Sequence, residues 1–311
     1  MIRSKIKASS YTIEPLLPYK KKKMHAYLEI IKRVLDAGDT KHNRTGTDAV
    51  SIPGAMFEHD MSKGFPLLTT KNVVFRLVAS ELEFFIKGIT DKNWLRERNN
   101  HIWDNWCNPE KVPYGHDEET QNRMKSEQEL GPIYGWQWRN FGGTYTSSDE
   151  KASGQGIDQL KNVIEKLKSD PDDRRMIVSA WNPVDFHRMA LPPCHYSFQV
   201  TVSSGKLNLL WNQRSVDVAL GLPFNIASYG LLLHLIAKEV GLREGKLVGF
   251  LADTHIYVNH LKGIEEQLKR EPKPLPSLQT KNFKSIFDWN YEDSIIENYD
   301  HHPGIKFEIA V

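Results

Sequence analysis

Apolar residues recur at helical spacing early in the chain. Tyr27, Leu28, Ile30, Ile31, Val34 and Leu35 fall on one stripe, and Gly38 follows as a C-cap. A second run, 76–86, is apolar almost throughout and reads as a largely buried helix interrupted by Glu81 and Glu83. A carboxylate in such a helix is expensive unless it is paired or used, so at least one of the two needs a job. Leu160, Val163, Ile164 and Leu167 mark an amphipathic helix that stops at Ser169-Asp170-Pro171. The period then changes to two. Tyr196, Phe198, Val200 and Val202 alternate with Ser197, Gln199, Thr201 and Ser203, and Ser204-Gly205 turns this strand into another through Leu207, Leu209 and Trp211. A long apolar helix is expected over 226–240.

Two stretches, 109–129 and 142–156, are rich in charge, Gly and Ser without a sustained apolar period, and read as surface insertions. Residues 1–23 are mostly polar, contain Pro15 and Pro18, and end in four lysines at 20–23. They read as an extension outside the main fold: a solvated arm, with phosphate or RNA contact as the sharper alternative. No internal repeat or linker divides the remainder. Residues 24–311 are therefore expected to form one α+β domain with a substantial sheet.

Composition narrows the function classes. The 311 residues carry 41 Lys+Arg against 39 Asp+Glu, a net +2 that excludes a basic nucleic-acid coat or an acidic solvating tail. Two cysteines, neither in a CxxC pair, exclude a disulfide framework and argue against structural zinc. No apolar run reaches membrane-spanning length, and the N-terminal stretch lacks the apolar core of a secretory signal. The expectation is a soluble protein of a reducing compartment. Eight tryptophans suggest, beyond core packing, a site that stacks against flat ligands.

Cys194, in Leu191-Pro192-Pro193-Cys194-His195, is the candidate nucleophile, standing at the start of a strand after two stiffening prolines. Strand neighbours point to opposite faces, so adjacent His195 is not assumed to be its base; a nearby arginine that lowers the thiol pKa is the better physical option. Arg44, Arg174, Arg175 and Arg214 are each ordinary surface charges taken singly. With neighbouring Ser, Thr or Gly they also suit a phosphate dianion, and the absence of a GxxxxGK[ST] loop favours a phosphomonoester over a nucleoside triphosphate. Asn225 reads either as an N-cap or as an amide whose acceptor and donor match the O4 and N3–H edge of uracil. Asp217 reads as a solvated carboxylate or an acceptor for a second ligand. His255 and Tyr257 share one face of an extended strand and suit one ligand hydroxyl. His255 and His260 are five apart and fall on different faces, so no metal site is expected.

Together these segments closely resemble thymidylate synthase from about residue 27 to Val311. The resemblance is carried by Arg44-Thr45-Gly46-Thr47, by Gly64-Phe65-Pro66-Leu67-Leu68-Thr69-Thr70-Lys71, and by Gly131-Pro132-Ile133-Tyr134-Gly135 with Gln137-Trp138-Arg139. It continues through Arg174-Arg175 to Trp181-Asn182-Pro183, Pro193-Cys194-His195, Gln213-Arg214-Ser215 to Ala227, and 253–260. It implies an α+β fold, a large mixed sheet flanked by helices, with one sheet face forming a homodimer interface. The activity implied is reductive methylation of dUMP to dTMP in the cytoplasm, with 5,10-methylenetetrahydrofolate as carbon donor and reductant, dihydrofolate released, and no metal.

By the same resemblance, Cys194 would add to C6 of the pyrimidine, making C5 nucleophilic. Arg214 would help ionise Cys194 and hold the phosphate with Arg44 and Ser215, while Arg174 and Arg175 would reach it from the other subunit. Asn225 would select uracil over cytosine, and His255 and Tyr257 would bind the 3′-hydroxyl. Glu81 would organise water and proton transfers, and Tyr134 would assist removal of the C5 proton. Asp217 would accept from the pterin, Trp103 would pack near the folate, and Val311 at the C-terminus would close over both ligands.

The sequence departs from the family pattern at Ala252, where glycine is usual, at Glu83-Phe84, where Leu-Trp is usual, and at Val74, where a His often contacts the folate tail. Glu83, Phe84 and Val74 are expected on the folate side. They raise an alternative of the same fold, a dUMP 5-hydroxymethylase in which water replaces hydride. A nucleic-acid partner is not expected.

Overall fold

The first apolar stripe folds as α1 (His25–Ala37), burying Tyr27, Leu28, Ile30, Ile31 and Val34. Gly38 caps it through its N–H to the Val34 carbonyl, in extended rather than left-handed backbone. The computed structural model describes residues 24–42, 46–112, 117–149 and 155–308. The extension read over 1–23, Arg44 and Val311 lie outside these. Short strands β1 (Asp39–Lys41), β2 (Ala49–Ile52) and β3 (Ala55–Asp60) follow, then the apolar α2 (Phe75–Ile86) and the single turn α3 (Asn93–Arg96).

Next come α4 (Glu118–Ser126), α5 (Tyr134–Asn140), α6 (Gln159–Ser169) and the edge strand β4 (Ile177–Ser179). The alternating segment becomes the hairpin β5 (His195–Ser203) and β6 (Lys206–Asp217). Its two-residue turn has Ser204 at φ 51° and Gly205 at φ 68°, the left-handed pair that matches strand twist. Then α7 (Gly221–Val240), β7 (Arg243–Tyr257), α8 (Leu261–Leu268) and the small hairpin of β8 (Ser277–Thr280) with β9 (Ser294–Glu297) complete the described elements.

The main sheet has seven strands in the order β1-β2-β7-β6-β5-β4, with β3 also paired to β7. β7 is long enough to pair with β3 along one half and with β2 along the other. Among the described strands only β6 and β7 run parallel, and α7 is the crossover between them. That explains why α7 is apolar on every side, burying residues from Leu222 to Ala237: it is sandwiched inside the domain rather than lying on it. Residues that alternate inward, such as Phe198, Val200, Leu209, Trp211, Leu247 and Leu251, build one core with α1, α2 and α7. The opposite face of the sheet leaves Met56 and Phe250, direct partners in the β3–β7 register, exposed at 58% and 44%.

Two expectations are corrected. The stretch 109–129 is not merely a surface insertion: Asp117 caps α4 by accepting from the Thr120 N–H, and Met124 packs into a small core with Cys107 and Val112. A helix this short, with two charges per turn, carries too little apolar period to be seen in sequence. Likewise, part of 142–156 is internal, because Tyr145 is buried and its hydroxyl donates to Glu129. No helix among the described residues is long and apolar enough to cross a membrane.

Candidate active site

Parallel pairing of β6 and β7 brings their carboxyl ends to one edge of the sheet. In register, Ser215 lies opposite Asp253 and Asp217 opposite His255. This is where an open sheet presents groups to a ligand, and a cavity of about 460 Å³ opens there. Arg214, Ser215, Asp217, His255 and Tyr257 line it from the strands, Asn225 from α7, and Cys194 from the turn before β5. Glu81 of α2, Tyr134 at the start of α5, and the loop residue Trp103 close the other wall. Ten of the predicted positions therefore share one space. Arg174 and Arg175 do not: they are exposed before β4, where Arg175 pairs with Asp173 at 2.7 Å.

Cys194 is held by its backbone. Its N–H donates to the Tyr134 hydroxyl at 2.8 Å, and its carbonyl accepts from the Arg214 N–H at 2.8 Å. A register shift between His195 and Ser197 turns this end of β5 so that Cys194 faces the cavity. The Arg214 guanidinium donates to the carbonyls of Pro193 and Pro192 at 2.9 and 2.7 Å, which aims Nη2 at Cys194 Sγ, 3.8 Å away. The two prolines thus do more than stiffen the approach: their carbonyls aim the arginine. Positive charge beside a thiol favours the thiolate.

His195 is buried, and its Nδ1 pairs with the Tyr229 hydroxyl at 2.9 Å. Burial pushes its pKa down to about 3, so it is a neutral group and not the partner that activates Cys194. Glu81 behaves in the opposite sense. Burial pushes its carboxyl up to about 7, while the Trp103 indole N–H, 2.8 Å from Oε1, pulls it back. Burial also drives the Tyr134 phenol well above its ordinary value, with the neighbouring Cys194 adding to the shift. Tyr134 is therefore a neutral hydroxyl that can hold or pass a proton.

The N-cap reading of Asn225 is overturned, because α7 starts four positions earlier at Gly221 and Asn225 sits within it. Its Oδ1 accepts from Gln213 Nε2 at 3.0 Å, and Gln213 is fastened in turn by the Trp211 indole and the Ser215 carbonyl. Nδ2 and a second lone pair of Oδ1 remain for a ligand edge. Asp217 is not a solvated carboxylate. It accepts from the N–H groups of Ala219 and Leu220, both at 3.0 Å, and shapes the turn into α7. The expected folate-side position of Glu83 and Phe84 is also overturned. Glu83 pairs with Lys87 and accepts from the Tyr291 N–H at 2.8 Å, Phe84 is core, and neither lines the cavity. Val74, at the N-cap of α2, is outside the lining as well.

Gln213 and Lys41 join the cavity lining without a sequence signal of their own. Lys41 enters the cavity wall and pairs with Asp253 at 2.5 Å, which Ser51 also contacts. Burial opposes ionisation of Asp253, but these two bonds hold its carboxyl below the usual range. Gln213 was readable only as part of Gln213-Arg214-Ser215; Lys41 carried no local signal, since its partner is 212 residues away. No group of three or more His, Cys, Asp or Glu converges on a metal position among the described residues.

The family model for thymidylate synthase matches residues 25–311. A bifunctional dihydrofolate reductase-thymidylate synthase of Paramecium tetraurelia is 44% identical over 285 residues, which is 92% of this chain and 61% of that protein. The chain thus spans about three-fifths of the length of that curated relative.

Proposed function

The chain belongs to the thymidylate synthase family, and on that premise we propose that it methylates dUMP to dTMP, taking carbon and hydride from 5,10-methylenetetrahydrofolate and releasing dihydrofolate. The observation that carries the reading is the triangle of Cys194, Arg214 and Tyr134 in one cavity, with Arg214 Nη2 3.8 Å from the sulfur and the Tyr134 hydroxyl 2.8 Å from the Cys194 N–H.

The Cys194 thiolate adds to C6 of the pyrimidine, forming the Sγ–C6 bond and passing the electron pair through C5 towards O4. Arg214 supplies the charge that favours the thiolate. With Ser215, Arg44, and Arg174 and Arg175 from a second subunit, it also takes the phosphate. Exposed Arg174 and Arg175 suit a group donated across an interface, and the exposed Met56–Phe250 face of the sheet suits that homodimer. Asn225, oriented by Gln213, pairs with O4 and N3–H, which a cytosine edge does not match. His255 and Tyr257 take the 3′-hydroxyl.

Glu81, poised between its acid and base forms near neutrality, moves protons towards O4 and the folate. Tyr134 assists loss of the C5 proton. Trp103 and Asp217 bound the folate side, and Val311 closes over the bound pair, excluding water while hydride transfers. That Glu83 and Phe84 do not line the cavity supports methylation over the hydroxymethylase alternative of the same fold.

Mass spectrometry of the nucleotide formed from dUMP and methylenetetrahydrofolate tests the reading. A product heavier than dUMP by one methylene, with dihydrofolate absorbance rising in step, is expected. A 5-hydroxymethyl product without dihydrofolate overturns it.

A further inference from the structure

Lys92, just before α3, is fully buried at 1% exposure, yet it forms no ion pair among the described residues. Its ammonium instead donates to three backbone carbonyls: Asp104 at 3.2 Å, Trp106 at 2.5 Å, and Met124. Two of these belong to the loop that carries Trp103 and Trp106 into the cavity, and the third belongs to α4. We infer that Lys92 is a positioning residue for the folate half of the active site, an internal staple whose three N–H bonds hold the Trp103–Trp106 wall against α3 and α4. The inference rests on the proposed thymidylate synthase reading and extends it to a residue outside the cavity lining.

Three observations support it. The count matches, because an ammonium has three N–H donors and no lone pair, and each donor meets one carbonyl. The loop's own carboxylate is already engaged. The Asp104 carboxylate is occupied by Arg96 at 2.7 Å and His101 at 3.0 Å, so it braces the outside of the loop rather than neutralising Lys92. Finally, the loop bears on the chemistry, since Trp103 is bonded to Glu81. A wall that drifts would change both the folate contact and the setting of the proton-transferring carboxyl.

The staple has a built-in alkaline limit. Burial pushes Lys92 down to about 8, with Arg96 adding to the fall and Cys107, Asp104 and Glu127 opposing it. These are the charged and titratable groups facing it from α3, the loop and the segment after α4. A neutral amine has only two N–H donors, and its lone pair would face the third carbonyl. Above that pH one arm of the staple is lost.

The test compares the wild type with Lys92→Met, which keeps the length and removes the donors. A rise of about tenfold or more in KM for methylenetetrahydrofolate is expected, with the dissociation constant for dUMP changed by less than about twofold. The alkaline fall in kcat/KM for folate near pH 8 should be present in the wild type and absent from the variant. A merely structural defect would reduce folded yield and touch both ligands alike. A folded variant with wild-type folate KM and the same pH limb overturns the inference.

If Lys92→Met does not fold, the wild type decides by itself between about pH 7 and about pH 9.5. A folate KM that rises while dUMP affinity stays level supports the staple, and a flat folate KM overturns it. Wild-type enzyme that makes no dTMP overturns the functional reading instead, so the two failures are distinguishable.

Discussion

The indole N–H of Trp103 donates to the Glu81 carboxyl at 2.8 Å, tying a surface loop to a carboxyl buried in α2. The two helix carboxylates that look alike in sequence are divided by this contact. Glu83, two residues on, is neutralised by Lys87 and the Tyr291 N–H and serves the fold. Glu81 has an indole for company and no cation bonded to it among the described residues, which is why burial wins and its proton is retained to about pH 7.

Replacing Glu81 with Gln should therefore lower kcat by about 10²–10⁴-fold while leaving dUMP affinity nearly intact. The same change has a signed effect on stability. The folded carboxyl titrates near 7 and the unfolded one near 4.5, so the native state holds more protons between those values and loses stability as pH rises through them. Urea unfolding at low and high pH should show Glu81→Gln gaining on the wild type by on the order of 2 kcal/mol at the alkaline end. Equal stability of the two proteins at both pH values would contradict the burial argument.

Cys194→Ser should abolish the covalent nucleotide adduct seen by intact-protein mass spectrometry and leave dUMP binding measurable. The substitution leaves the backbone bonds to Tyr134 and Arg214 in place, but a hydroxyl is a far poorer nucleophile at neutral pH. Full turnover by this variant would remove the proposed mechanism.

His195, despite its place beside Cys194, should not titrate in the working range. Its imidazole resonances should stay in the neutral form at pH 5, because burial holds its pKa near 3. The unfolded imidazole titrates near 6.5, so this residue costs stability as pH falls below that value. A protonated signal at pH 6 would return His195 to the list of acid–base candidates.

Gln213→Leu removes the donor that orients Asn225 without touching the cavity's charges. The loss of discrimination between dUMP and dCMP should be about fivefold, measured as the ratio of their inhibition or turnover constants, since one oriented hydrogen bond of this kind contributes about 1 kcal/mol. An unchanged ratio would show that Asn225 needs no such support.

Gly135→Ala tests the packing that places Tyr134. A methyl group there would lie 2.4 Å from the Phe85 carbonyl oxygen and 2.6 Å from its Cα, contacts with backbone that cannot rotate away. Separation of α5 from α2 should cost about 1–3 kcal/mol in chemical denaturation. It should also slow adduct formation, because Tyr134 carries the contact to Cys194. Wild-type stability would mean that the two helices part freely.

Much of this molecule was legible as pattern. The stripes of α1 and α6 and the alternation of β5 and β6 were readable because each buries one face, and a period of 3.6 or two records that burial directly. The short α4 was missed because its stability comes from a cap and a few contacts to distant segments rather than from its own period. Asn225 was ambiguous because an apolar helix with no polar cap has an unmarked start, and Gly221 begins α7 earlier than the apolar run from Ile226 suggests.

The sequence by itself determined the residue types: a cysteine after two prolines, arginines with small hydroxyl neighbours, and a carboxylate with no apparent reason to be in an apolar helix. It also carried the ordered motifs of one family. Only the tertiary structure decided which of these groups meet. Parallel pairing of β6 with β7 set Asp217 opposite His255, a long-range choice of neighbour that no local period encodes. Partners then separated Glu81, which has an indole, from Glu83, which has a lysine, and burial removed His195 from an acid–base role, because a pKa depends on what surrounds the group rather than on where it stands in the chain.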